Sequence, residues 1–301
     1  MENPSRSDLL DSDAISRGES LGILARQVVE GYRVGEHRSP FKGFAIEFAQ
    51  HREYTVGDDI RHLDWKVLGR TDRYYIKQYE QDTNFVAHLV IDGSESMNYG
   101  SGKLTKFQYA KALAACLAYI ILLQRDAAAL YLFDTEIRET LTRTDNLGRI
   151  HHIMDRLAAF QATQPTRLGK ILGDMARTVS SRGMVMVISD LFDDEEALEK
   201  GLQQLRFGGS EVIVFHLMDP YELEFPFEGT VEFIGLEGMA RLRTSPADFR
   251  KSYLEAARDF RLRMNRICDR CGCHYVLANT RDPLGETLGG YLVFRQGLAG
   301  R

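Results

Sequence analysis

Four short stretches of this 301-residue chain are apolar at nearly every position. They are Phe85 to Ile91 (FVAHLVI), Ala127 to Phe133 (AAALYLF), Met184 to Ser189 (MVMVIS) and Glu211 to Leu217 (EVIVFHL). Runs this short, bounded by polar turns, read as strands covered on both faces. Between them the period changes to that of a helix. Thr105 to Gln124, two stretches at about 147–160 and 168–181, and Asp194 to Phe207 all read as helices, the last with acidic residues at its positive end. Further on, Thr230 to Ile234 and Ala240 to Arg243 suggest a hairpin around a Gly-containing turn. Pro246 to Arg270 reads as a long helix with Ser245 as N-cap and Pro246 at its first position, and Cys273 to Leu277 as a last strand.

Buried strands that alternate with helices imply a doubly wound α/β fold, a mainly parallel sheet between helices. The N-terminal part has another character. Residues 1–18 read as a flexible arm. Helical periodicity starts near Leu21 and continues through Leu24, Val28 and Val29, and a Gly- and Pro-marked loop follows at Gly35 to Gly43. Residues 44–82 are rich in charged and aromatic side chains without a clear period. The chain therefore divides into the arm, a segment 19–84 expected to pack on the sheet, and the α/β domain 85–301.

Composition narrows the function. The net charge of −5 argues against a nucleic-acid partner, since phosphate backbones are bound through an excess of Lys and Arg. The four cysteines do not form a secreted disulfide framework, and the polar N-terminus lacks the apolar core of a signal sequence. The longest apolar run, Ala112 to Leu123, is too short to cross a bilayer. The expectation is a cytoplasmic protein without a transmembrane segment.

In doubly wound sheets ligands bind beyond the carboxyl ends of the strands. The first strand is followed by Asp92-Gly93-Ser94-Glu95-Ser96, and the third by Asp190. Between the second and third lies Pro165-Thr166-Arg167, a polar loop entering a helix. One edge thus gathers two carboxylates and several hydroxyls with no basic or thiol ligand, a donor set for a hard cation. This pattern (Asp-x-Ser-x-Ser, a later Thr, a later Asp) resembles the metal-ion-dependent adhesion site of von Willebrand factor A-like domains, over about residues 85–280. The resemblance implies Mg²⁺, with Mn²⁺ or Ca²⁺ as alternatives, on Asp92, Ser94, Ser96 and Thr166. It implies Asp190 acting through water and an open position for a partner's Asp or Glu. Where that family has Gly-Gly-Thr, this chain has Gln164-Pro165-Thr166, which leaves Thr163 as an alternative to Thr166.

A second resemblance covers the preceding segment. Glu47-Phe48, Arg52-Glu53-Tyr54, Gly57-Asp58-Asp59-Ile60-Arg61, Leu63-Asp64-Trp65 and then Lys77, Tyr79 and Glu80 resemble the family named domain of unknown function 58. It implies an adaptor that works with an AAA+ ATPase of the MoxR type. Arg52, Asp58, Asp59, Arg61 and Asp64 read either as a recognition surface or, favoured, as ion pairs that fix packing around Trp65.

Other signals carry less. Gly100 to Lys103 lacks the first Gly and the final Ser/Thr of a P-loop. His88 and His216 lie inside strands and read as core residues; the His151-His152 pair presents different helix faces. Cys268, Cys271, Cys273 and His274 lack the spacing of a zinc pair. The combined expectation is a non-enzymatic, metal-dependent protein-interaction module. The alternatives are a metal-dependent hydrolase with Glu95, Asp193 or Asp194 as base, and a structural subunit with an empty site.

Overall fold

The computed structural model describes residues 18–35, 51–53, 74–77, 86–179, 183–235, 241–289 and 291. Asp58, Asp59, Arg61, Asp64, Trp65, Tyr79 and Glu80, and the arm 1–17, lie outside them. The chain divides into two compact units, residues 41–84 and the remainder. In the smaller unit β1 (His51–Glu53) pairs antiparallel with β2 (Tyr75–Lys77), and Arg52 lies opposite Ile76.

The larger unit opens with α1 (Gly18–Gly35). Its sheet takes β3 (Val86–Asp92), β4 (Ala127–Phe133), β5 (Ile137–Thr144), β6 (Gly183–Ser189), β7 (Glu211–Met218) and β10 (His274–Asn279). A separate hairpin pairs β8 (Val231–Ile234) with β9 (Arg241–Thr244). The sheet order is β10-β7-β6-β3-β4-β5, parallel throughout except for β5 at one edge. The chain leaves β3 toward β4 on one side and later returns to β6 on the other. The switch point of this doubly wound sheet therefore lies between the ends of β3 and β6.

β5 departs from the expected pattern, in which the chain after β4 goes directly into helices. Its sequence, IRETLTRT, carries charges at Arg138, Glu139 and Arg143 and has no buried position, as suits an edge strand that must not recruit another strand. The helix expected at 168–181 is also shorter, ending at Met175. The long helix starts at Arg250; Ser245 and Pro246 instead open a preceding single turn of 3-10 helix.

Helices cover both faces. On one lie α4 (Leu168–Met175), α5 (Glu195–Phe207) and α7 (Arg250–Arg270), sharing a core with Val90, Val185, Val187, Val212 and Val214. Close approach of α4 and α5 depends on glycine: a Cβ on Gly201 would lie 2.6 Å from the Gly169 carbonyl oxygen. On the other face α2 (Lys106–Leu123) packs on β3, β4, β6 and β7, and is itself covered by α1 and by α3 (Ile150–Ala159). Enclosure on all sides explains why α2 is apolar all round. The whole helix spans 18 residues with mean hydropathy 1.4, long and apolar enough to cross a membrane, but 83% of it is buried within the protein. The expectation that this stretch is too short to span is thus corrected, while its reading as a core helix stands.

Candidate functional site

Asp92 is the last residue of β3, at the switch point, and is fully buried. The chain leaves the sheet at Gly93, whose N–H donates to the Phe133 carbonyl (2.7 Å); any Cβ there would collide with the Phe160 ring. The Ser94 N–H turns back to the Asp92 Oδ1 (2.9 Å), and Glu95–Asn98 forms a 3-10 turn anchored by buried Met97. The turn brings the Ser94 and Ser96 hydroxyls within 3.0 Å of each other. Asp92, Ser94 and Ser96 thus converge as their alternate spacing predicts.

The Thr166 loop is pinned against this turn from several sides. Ser94 and Gln164 form a parallel bridge, and the Glu95 N–H donates to the Gln164 carbonyl (2.8 Å). Asn98 Nδ2 donates to the Ala162 carbonyl (2.7 Å). The buried Lys111 ammonium donates to the Phe160 carbonyl (2.7 Å) and the Ala158 carbonyl (3.1 Å) at the end of α3; burial lowers its pKa to about 8. Thr166 Oγ1 donates to the Asp92 Oδ2 (3.2 Å). Pro165 therefore does not carry Thr166 away from the site.

Ser189 and Asp190 end β6 beside β3. The Ser189 hydroxyl donates to the Asp92 Oδ2 (2.6 Å) and accepts from the Leu191 N–H (2.9 Å). Leu191 has φ of 60°, a left-handed conformation uncommon for a non-glycine residue and of the kind that clusters at functional sites. Asp193 then accepts from the Gly169 N–H (2.8 Å), tying this loop to the start of α4, and Asp194 caps α5 through the Ala197 N–H (2.8 Å).

Asp190 has a partner that the sequence pattern does not reveal. Its Oδ2 accepts from Lys106 Nζ at 2.8 Å, and the same ammonium donates to Glu222 Oε1 at 2.8 Å. Glu222 belongs to the short helix α6 (Pro220–Glu224), where its second oxygen accepts from the Asp219 N–H in a capping box. Asp219 in turn takes the Ser101 N–H (2.8 Å), so the Gly100–Lys103 stretch serves as a fixed turn.

The two strand-end carboxylates therefore sit in opposite surroundings. Among the described residues Asp92 accepts only from neutral donors. Burial, and then the nearby Asp190 charge, raise its pKa from 3.8 to about 7 against the pull of the Ser189 and Ser94 hydrogen bonds. Burial alone would push the Lys106 ammonium down, but Asp190 and Glu222 overcome this and hold its pKa above the usual lysine value.

The residues given less weight fall into structural places. His88 and His216 hydrogen-bond through Nδ1 to the Tyr131 and Tyr275 hydroxyls (3.3 and 2.7 Å), and burial lowers their pKa values to about 4 and about 3. Cys268, Cys271 and Cys273 are buried free thiols in the core beneath α7, each with its pKa raised by burial. Arg263 and Arg270 of α7 pair on the surface with Glu195 and Glu199 of α5. Among the described residues no group of three or more His, Cys, Asp or Glu could hold a metal. The donors at the switch point are mainly hydroxyls, a set with different chemistry.

Comparison with known proteins adds the following. Residues 50–263 match the family model "Protein of unknown function DUF58". Over 292 residues the chain is 27% identical to the uncharacterized protein Mb1516 of Mycobacterium bovis, covering 93% of this chain and 90% of that one. Among solved structures it is similar to the conserved hypothetical protein BatB of Bacteroides thetaiotaomicron, with TM-score 0.48 and 15% identity over 71% of this chain and 98% of that one. An aerotolerance-related membrane protein of Bacteroides fragilis gives TM-score 0.46 and 14% identity over 70% and 97%. The SpRpn10 VWA domain gives 0.38 and 15% over 70% and 94%. The Bacteroides fragilis protein is named as a membrane protein, which runs against the cytoplasmic expectation; that expectation is withdrawn.

Proposed function

The chain belongs to the DUF58 family of proteins of unknown function, and from that footing we propose that its A-like domain is a non-enzymatic, metal-dependent protein-interaction module. Asp92, Ser94, Ser96 and Thr166 would hold Mg²⁺, or Mn²⁺ or Ca²⁺, with Asp190 in the outer shell. The partner would offer an Asp or Glu side chain, and a MoxR-type AAA+ ATPase is the partner that the family resemblance favours. The observation that carries this reading is the state of Asp92. It is a fully buried carboxylate, ringed by hydroxyls and a backbone N–H, that touches no cation among the described residues. An uncompensated buried charge is costly, and hydroxyls beside a carboxylate suit a hard cation. When bound, such an ion supplies excess positive charge to attract an incoming carboxylate.

The hydrolase alternative asks for a free base beside the metal. Of the candidates Glu95, Asp193 and Asp194, the two aspartates are engaged in capping helices, which supports the non-enzymatic reading for them.

Thermal melting with and without Mg²⁺ tests the proposal. A ligand that binds only the folded state raises its melting temperature by mass action. Mg²⁺ should raise the melting temperature of the wild type and leave that of Asp92→Ala unchanged. An equal shift in both proteins would place the ion elsewhere.

A further inference from the structure

Lys106 contradicts its local position in two ways. It is the first residue of α2, where the helix dipole disfavours a cation. It is a lysine side chain with 1% exposure, a rare state for this residue type. Two aromatic rings help to hold the ammonium, with Nζ 5.2 Å from the Phe192 ring centre and 5.9 Å from that of Tyr99. Nothing in the packing of α2 requires a charge there, since the rest of the helix start is held by the Thr105–Gln108 capping box. What holds Lys106 is the pair of carboxylates on the neighbouring loops, Asp190 after β6 and Glu222 after β7. Departures from local preference that are fully compensated in this way concentrate at functional sites.

We infer that Lys106 is a tethered cation of the switch-point site: it offsets Asp190 from inside the fold, weakens the site's hold on a divalent ion and keeps the loaded site from turning negative toward an anionic partner. The inference rests on the metal site proposed above. The charges explain the effect. Asp92, Asp190 and Glu222 are set against one ammonium. With Lys106 in place a dication meets a net charge of −2, Asp92 without a cationic partner and Asp190 and Glu222 sharing one. With Lys106 removed the same dication meets −3, is held more tightly, and leaves the loaded site negative rather than neutral toward an incoming carboxylate. At an effective dielectric near that of a protein surface, one charge this close changes an affinity by at least about tenfold. Lys106 is then a positioning residue that touches neither ion nor partner.

The test is a calorimetric titration of Mn²⁺ into the full chain as wild type, Lys106→Met, Glu222→Gln and Asp92→Ala. Lys106→Met should bind Mn²⁺ at least about tenfold more tightly than wild type, a gain that damage to the fold does not produce. Glu222→Gln, which removes a negative charge and leaves Lys106 wholly on Asp190, should bind several-fold more weakly. Equal or weaker binding by a folded Lys106→Met overturns the inference. If that variant does not fold, Glu222→Gln decides, and unchanged or tighter binding by it overturns the inference. If wild type binds no Mn²⁺ but Lys106→Met does, the tethered cation stands and metal binding by the natural protein falls. If neither binds, both readings fall.

Discussion

Asp92 and Asp190 end adjacent parallel strands and are both fully buried, yet the fold treats them in opposite ways. Asp190 is paired with a lysine brought from the start of α2 and shared with Glu222. Among the described residues Asp92 receives hydrogen bonds from neutral groups at 2.6 to 3.2 Å and none from a cation. A buried ion pair with its hydrogen bonds in place is a structural device, costly to break from one side. A buried carboxylate among hydroxyls has its geometry fixed and its charge unanswered. The contrast separates the part of this edge that holds the loops together from the part that is ready to receive an ion.

The same small substitution at the two positions should therefore act with opposite signs. In metal-free buffer Asp190→Asn should cost about 2–4 kcal/mol, because it leaves the Lys106 charge with half its compensation. Asp92→Asn should instead stabilise the metal-free protein by about 1–3 kcal/mol above neutral pH, because it removes a buried charge that only neutral groups solvate. Denaturant unfolding of both variants in chelator checks the pair; destabilisation by both would show Asp92 to be as well compensated as its neighbour.

The pH dependence sharpens this further. The folded-state pKa of Asp92 lies above its unfolded value, at about 7 against 3.8. Such a carboxyl contributes its stability below the unfolded value and loses it as pH rises through the folded one. The histidines slope the other way: His88 and His216 have folded values depressed to about 4 and about 3 against 6.5, so they favour the fold as pH rises toward 6.5. The difference between wild type and Asp92→Asn cancels the histidines. The advantage of the variant should be absent near pH 4, grow through the interval and level off above about pH 7. A constant difference would remove Asp92 as its source. The smallest effect is expected from Ser189→Ala. It removes one hydrogen bond to Asp92 and leaves the Leu191 N–H unpaired, costing about 1–2 kcal/mol and raising the Asp92 pKa further.

Much of this arrangement is legible in the sequence. The four apolar runs predict four of the six sheet strands to within a residue or two, because strands covered on both faces leave no polar interruption. Asp92, Ser94, Ser96 and Thr166 stand out because each follows such a run or opens a helix, and all four converge. β5 does not stand out, because an edge strand that is polar at six of its eight positions has the pattern of a loop. Ser189 is hidden as the last residue of an apolar run. Lys106 and Glu222 are hidden for a stronger reason: their significance lies in a contact 116 residues apart that no local period records. The local hint is a lysine at the positive end of a mainly apolar helix.

The account stands on the claim that Asp92 is the carboxylate left for an external cation. Calorimetric titration of Mg²⁺ into the wild-type protein, repeated at pH 6 and pH 8, tests it most directly. Binding at this site must displace the proton that Asp92 holds below about pH 7. The account predicts saturable binding that is tighter at pH 8 and that releases a proton at pH 6. Saturable binding with the same affinity at both pH values and no proton release would contradict it.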